Sequence, residues 1–157
     1  MNGSLPFDYA AIARILPHRH PFLLVDRITE FEPDRRIVGL KNVSANEPYI
    51  AECDGRFVLP PTILMEAMAQ VGAILVLAKP EHRERLIYFV GVKRARYRRP
   101  ACAGDVLVIE ALADRMRGSR GRLTGEARVD GVVVASGVMS FALGTKADLP
   151  EGAFRSI

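Results

Sequence analysis

The chain has no tryptophan, and only two cysteines and three histidines among its 157 residues. Each scarcity excludes a class of protein. Cys53 and Cys102 lie far apart and match no metal-ligand spacing, so neither a disulfide framework nor a zinc module is implied. No signal-peptide pattern opens the sequence, so reduced thiols and a cytoplasmic location are the expectation. Aromatic residues make up 7%. The densest basic run, Lys93–Arg99 (KRARYRR), has only Tyr97 to stack on a base, which sets nucleic-acid binding aside. A net charge of +4 suggests an acidic partner without naming one. A long uninterrupted apolar run is also missing. Pro60–Lys79 comes nearest, but Glu66 and Gln70 interrupt it. A central acidic residue costs about 2.5–3.5 kcal/mol on insertion, so no membrane span is expected.

What the chain does have is enough apolar sequence, 49%, for a real core. Residues 1–144 read as one domain and 145–157 as a loosely ordered tail. Asp8 can cap a short helix from Tyr9 to Ile15, ended by Pro17. Phe22–Phe31 and Arg36–Val43 read as strands joined at Glu32-Pro33-Asp34, and Ser44–Leu59 as a long loop. Pro60 and Pro61 suit the opening of a helix, where a missing N–H does no harm, and Pro80 stops it after Lys79. Apolar residues surround this helix almost completely, which marks it as buried on most sides. Leu86–Lys93, Asp105–Met116, Arg122–Val129 and Val132–Leu143 then read as strands, with Asp130-Gly131 as a hairpin turn. In Arg122–Val129 strict alternation predicts one packed and one wet face. One buried helix and an antiparallel meander make an α+β layout in which a curved sheet wraps a central helix, the hot-dog fold.

Within that helix Glu66 is a lone carboxylate. Burying it unpartnered would cost several kcal/mol, so it must be paired, protonated or put to use.

The stretches Ile15–Arg27 (ILPHRHPFLLVDR), Lys41–Tyr49 (KNVSANEPY), Leu64–Leu75 (LMEAMAQVGAIL) and Tyr88–Asp105 (YFVGVKRARYRRPACAGD) occur in an order that resembles the bacterial 3-hydroxyacyl-acyl-carrier-protein dehydratases of fatty-acid synthesis, the FabZ-like proteins. The resemblance covers roughly Ile12 to Leu143. It implies hot-dog subunits that pair, as a homodimer or a trimer of dimers, with each site formed between two of them. A histidine from one subunit and a helix glutamate from the other would remove water from a 3-hydroxyacyl thioester. A glycine N–H at the helix start would hold the thioester carbonyl. No cofactor or metal is implied.

Carried over residue by residue, the match is partial. Glu66 falls on the family glutamate, and Gln70 on the glutamine of its EAMAQ motif. The family's Gly-His-Phe-Pro-Gly is replaced by Glu52-Cys53-Asp54-Gly55, so that Cys53 or Glu52, depending on where the gap is placed, stands for the histidine. The donor glycine falls on Pro61, which has no N–H. Nothing basic in the local sequence would activate the Cys53 thiol, which reads more simply as a packed or loop cysteine. Glu52 facing Glu66 across a dimer could form a carboxylate pair, and a solvated loop glutamate is the plainer reading. His18, within the family's Leu-Pro-His-Arg segment, reads as structural, and neither it nor His20 as a replacement base. His82 reads as solvated. Arg94, Arg96, Arg98 and Arg99 could attract an acidic carrier protein, although alternation would expose only some of them. Phe57, Val58 and Leu59 could line an acyl tunnel or simply pack. Three functions stay open: a dehydratase with an altered site, a non-catalytic subunit paired with an intact paralogue, and a thioesterase.

Overall fold

A computed structural model describes residues 7–145. Of the tail expected over 145–157, Thr145 instead closes the last strand of the sheet, and the rest lies outside the described residues. Helix α1 (Tyr9–Ile15) is capped by Asp8, whose carboxylate accepts the Ala11 N–H at 2.8 Å. Strands β1 (Arg27–Glu32) and β2 (Arg36–Asn42) form the expected first hairpin.

The Ser44–Leu59 stretch is not a plain loop. It contains a short hairpin, β3 (Ala51–Cys53) and β4 (Arg56–Leu59), turned at Asp54-Gly55. Both turn residues have positive φ, 50° and 73°, the conformation an Asp-Gly pair adopts readily. Every residue from Ala51 to Phe57 is exposed.

Helix α2 (Pro61–Leu77) opens on the two prolines, and every residue from Ala67 to Leu77 is buried. Small residues set its distance from the sheet. A Cβ built on Gly72 would lie 2.6 Å from Leu123 Cδ1, and one on Gly39 would lie 2.8 Å from Val71 Cγ2. A short 3-10 turn, Pro80–His82, follows α2. Contrary to the solvated reading, His82 is tied down, with Nδ1 2.7 Å from the carbonyl of Val76 in the last turn of α2.

The remaining strands are β5 (Arg85–Tyr97), β6 (Ala101–Cys102), β7 (Val106–Arg117), β8 (Arg120–Val129) and β9 (Val132–Thr145). Six strands form one antiparallel sheet in the order β1-β2-β7-β8-β9-β5, and β3-β4-β6 form a second, smaller one. Asp130 and Gly131, with φ of 50° and 78°, make the predicted turn between β8 and β9. Along β8 the predicted alternation holds: Leu123, Gly125, Ala127 and Val129 are buried and their neighbours are not. Register shifts in the pairings of β1, β5, β7 and β8 supply the bends that let the sheet curve around α2. This is the hot-dog fold, α+β, with its core on Met68, Ile74, Leu107, Ile109, Leu123, Met139 and Phe141.

The expected strand Phe22–Phe31 begins only at Arg27. Leu23, Leu24 and Val25 are buried as strand residues would be, but Leu24 gives its backbone N–H to the side chain of Gln70. The apolar pattern was correct; the hydrogen-bond partner is a helix side chain.

Candidate functional site

Glu66 sits one turn before Gln70 on the part of α2 facing the Phe22–Leu24 segment. Gln70 is 1% exposed, and its amide is fully committed. Its Oε1 accepts the Leu24 N–H at 2.9 Å, which fixes the amide orientation. Its Nε2 then donates to the carbonyl of Phe22 at 2.8 Å and to Glu66 Oε1 at 2.9 Å. The glutamate is less buried than the apolar sequence around it implied, with 28% of its side chain exposed. It is therefore both paired and reachable.

His18 stands against the same oxygen. Its Nε2 lies 3.5 Å from Glu66 Oε1, and its side chain is 27% exposed. Its Nδ1 is buried without a partner among the described residues. Burial holds the imidazole below its usual value of 6.5; Glu66 works against that shift and Arg19 adds to it. The neutral ring is therefore favoured. Reading His18 from its motif as purely structural missed its proximity to Glu66, which only folding creates.

The other expected site residues divide. Val58, Leu59 and Pro61 line a cavity of about 300 Å³ with Leu64, Tyr97 and Arg98. Burial there pushes the Tyr97 phenol up. Neither Glu66 nor Gln70 is among its walls, and Phe57, 48% exposed, stands outside it. Cys53 and Glu52 occupy the exposed β3 strand, and neither bonds to Glu66 among the described residues. At the opening of α2 the amides of Ile63 and Leu64 both bond to the Pro60 carbonyl, and position 61 has no N–H to give.

Arg94, Arg96, Arg98 and Arg99 are all exposed, not only some of them. Every residue from Gly91 to Pro100 is exposed, so this part of β5 is open on both faces and alternation hides none of the set. A second basic cluster was not anticipated. The β7–β8 register sets Arg115 opposite Arg122 and Arg117 opposite Arg120, all on the outer face of the sheet. Only Arg122 has an acidic partner among the described residues, Asp114 at 2.6 Å. The signal was the spacing of arginines about the Gly118 turn, legible only once the hairpin register is known.

Among the described residues no group of histidine, cysteine, aspartate or glutamate could hold a metal ion, and no helix is long and apolar enough to cross a membrane.

The family model for the FabA-like domain matches residues 16–138. A 3-hydroxyacyl-[acyl-carrier-protein] dehydratase FabZ of Herpetosiphon aurantiacus is 47% identical over 84% of this chain and 94% of its own length. The chain belongs to the FabZ-type 3-hydroxyacyl-[acyl-carrier-protein] dehydratase family. The FabZ of Desulforamulus reducens is 45% identical over 88% of this chain and 99% of that protein. Among solved structures, the dehydratase heterocomplex ApeI:P from Xenorhabdus doucetiae aligns with a TM-score of 0.76 at 23% identity, over 87% of this chain and 92% of that one. A hypothetical thioesterase from Streptococcus pneumoniae, solved with coenzyme A, aligns at 0.60 and 13% identity over 76% and 85%. At those identities the likeness concerns the fold.

Proposed function

We propose that this dehydratase-family protein binds acyl thioesters delivered by an acyl carrier protein, in fatty-acid or related acyl-chain synthesis in the cytoplasm, with dehydratase activity well below that of its intact relatives. The observation that carries the reading is the state of the two site halves. Glu66 is reachable and held by Gln70, whereas position 61 has no N–H and the family histidine has no counterpart beyond Cys53 or Glu52.

The magnitudes favour strong impairment. One oxyanion donor is worth about 2.7–4 kcal/mol, and a positioned acid or base about 10²–10⁴-fold in rate. The cavity beside Val58, Leu59 and Pro61 has apolar walls in those residues, Leu64 and Ala101 that suit an acyl chain, with Arg98 and Arg99 among its other walls and Gln70 as part of the support beneath Glu66. Arg94, Arg96, Arg98 and Arg99 on β5, and the four arginines of the β7–β8 hairpin, suit an acidic carrier. Two well-separated free thiols fit a reducing compartment. No cofactor is required for the elimination.

Among the described residues strand β5 pairs only with β9, leaving one edge open, and Val90 and Val92 are 65% and 45% exposed. An open edge with apolar side chains supports pairing with a second hot-dog subunit, in a dimer or a trimer of dimers. One site half is intact here and the other is not, which favours a second reading. An intact paralogue would supply the histidine and the glycine N–H to the Glu66 of this chain.

The test follows enoyl product and free thiol together while the pure protein meets a 3-hydroxyacyl thioester on carrier protein. Enoyl formation more than about 10²-fold slower than that of an intact relative is expected. Recovery on mixing with that relative, beyond the sum of the two, supports the mixed dimer. Thiol release without enoyl product would replace both readings with a thioesterase.

A further inference from the structure

Two side-chain nitrogens of its own chain face Glu66, and both lie nearest the same oxygen. Gln70 Nε2 lies 2.9 Å from Oε1, and His18 Nε2 lies 3.5 Å from it. Oε2 has no partner among the described residues. We infer that His18 is a positioning residue for Glu66: with Gln70 it pins Oε1, so that Oε2 is the oxygen presented to a bound thioester or to water. The inference rests on reading Glu66 as the retained carboxylate of an acyl-thioester site.

The protonation pattern follows from the surroundings of the ring. Its Nδ1 is enclosed without an acceptor or donor among the described residues. A proton placed there would be a buried N–H with nothing to receive it, which is costlier than a bare lone pair. The single proton of the neutral imidazole therefore belongs on Nε2, the nitrogen that faces Glu66. The groups around the ring agree with this. Phe22 flanks it with ring centroids 6.0 Å apart, Arg19 repels a second proton, and Glu66 is the one carboxylate against it among the described residues. Arg19 itself is anchored away from the pair, with Nη1 donating to the carbonyls of Leu16 and His18 at 2.9 and 2.7 Å. A contact of 3.5 Å is long for a hydrogen bond, and contacts of this kind commonly tighten in the complex with substrate.

This gives His18 a task the partner subunit cannot perform. The family histidine arrives from the neighbouring chain, whereas His18 and Glu66 sit together within one chain. The carboxylate half of the site is then oriented before any partner binds.

The experiment combines two measurements on the full chain. ¹⁵N NMR of the histidine rings reports which nitrogen of His18 carries the proton and at what pH the ring titrates, in the wild type and in Glu66→Gln. A proton on Nε2, with a midpoint that falls further in Glu66→Gln, is expected. A proton on Nδ1, or a midpoint unmoved by Glu66→Gln, overturns the inference; the tautomer in the wild type decides it even if the variant does not fold. The second measurement is turnover of the N-acetylcysteamine thioester of 3-hydroxydecanoic acid, with and without an intact relative. His18→Phe is expected to lower kcat tenfold or more with KM within about twofold, and His18→Gln, which keeps an N–H donor, to recover most of the loss. Equal losses in the two variants would overturn the positioning role. A wild type silent both alone and in the mixture would count against the acyl-thioester reading, and the NMR result would still decide His18.

Discussion

On the proposed reading, the end of α2 that carries Glu66 and the β3–β4 hairpin that carries Glu52 and Cys53 are the two halves of one catalytic pair, and the fold holds them very differently. Glu66 is bonded to Gln70, and Gln70 in turn supplies the hydrogen bonds that Phe22 and Leu24 would otherwise take from a neighbouring strand. Changing this half disturbs buried backbone. The hairpin is exposed from Ala51 to Phe57 and is turned by Asp54-Gly55 alone. Its residues can be replaced with little consequence for the chain, so function is what would hold them fixed. On that reading, the half tied to the fold through Gln70 is retained, and the half that the fold does not tie down is the one that departs from the family.

Gln70→Leu is the strongest way to break this contrast. It strands the Leu24 N–H and the Phe22 carbonyl, at roughly 1–3 kcal/mol for each buried group left unsatisfied. The urea midpoint should fall sharply with an unchanged slope. A loss within about 0.5 kcal/mol, the range of ordinary surface changes, would show that the network is not structural.

Next in size is repair of the exposed half. Pro61→Gly combined with Cys53→His restores an N–H at the helix opening and an imidazole on the hairpin. Enoyl formation should rise by about tenfold or more, given what each group contributes in working sites. Glu66→Gln in the repaired protein should abolish the gain. An unchanged rate in the repaired chain would place its defect elsewhere.

A smaller effect comes with pH. The fold keeps the His18 imidazole neutral, with its pKa held below 6.5 chiefly by burial. The unfolded chain binds a proton near 6.5 and the folded chain only at lower pH. The His18 contribution is therefore fully present above 6.5 and is lost as pH falls through the folded value. Urea midpoints should decline on mild acidification, before the carboxylates titrate, and His18→Gln should flatten that decline. The smallest effect belongs to the hairpin: Cys53→Ala should change stability by no more than about 0.5 kcal/mol.

Much of this contrast could be read in the sequence, though not its closing contacts. α2 announced itself through Pro60, Pro61, the apolar run and Pro80, and β8 through alternation between Arg122 and Val129. The proposed departures at Glu52-Cys53 and Pro61 rest on the sequence motif alone. Phe22–Val25 misled because an extended, buried segment looks the same whether its N–H groups meet a strand or Gln70. Asp54-Gly55 carries the same turn signal as Asp130-Gly131, but the exposed residues on either side lack the apolar alternation that makes a hairpin evident. His18 and the four hairpin arginines depend on approach through space, of Pro17–Phe22 to α2 and of β7 to β8. No local pattern encodes either.

The most direct measurement is the initial rate of enoyl formation by the purified wild-type chain from a 3-hydroxyacyl carrier-protein thioester, side by side with an intact FabZ. A retained carboxylate without its histidine and amide donor should leave the rate lower by more than about 10²-fold. A rate equal to that of the intact enzyme would show that the changes at Cys53 and Pro61 had not disabled the site.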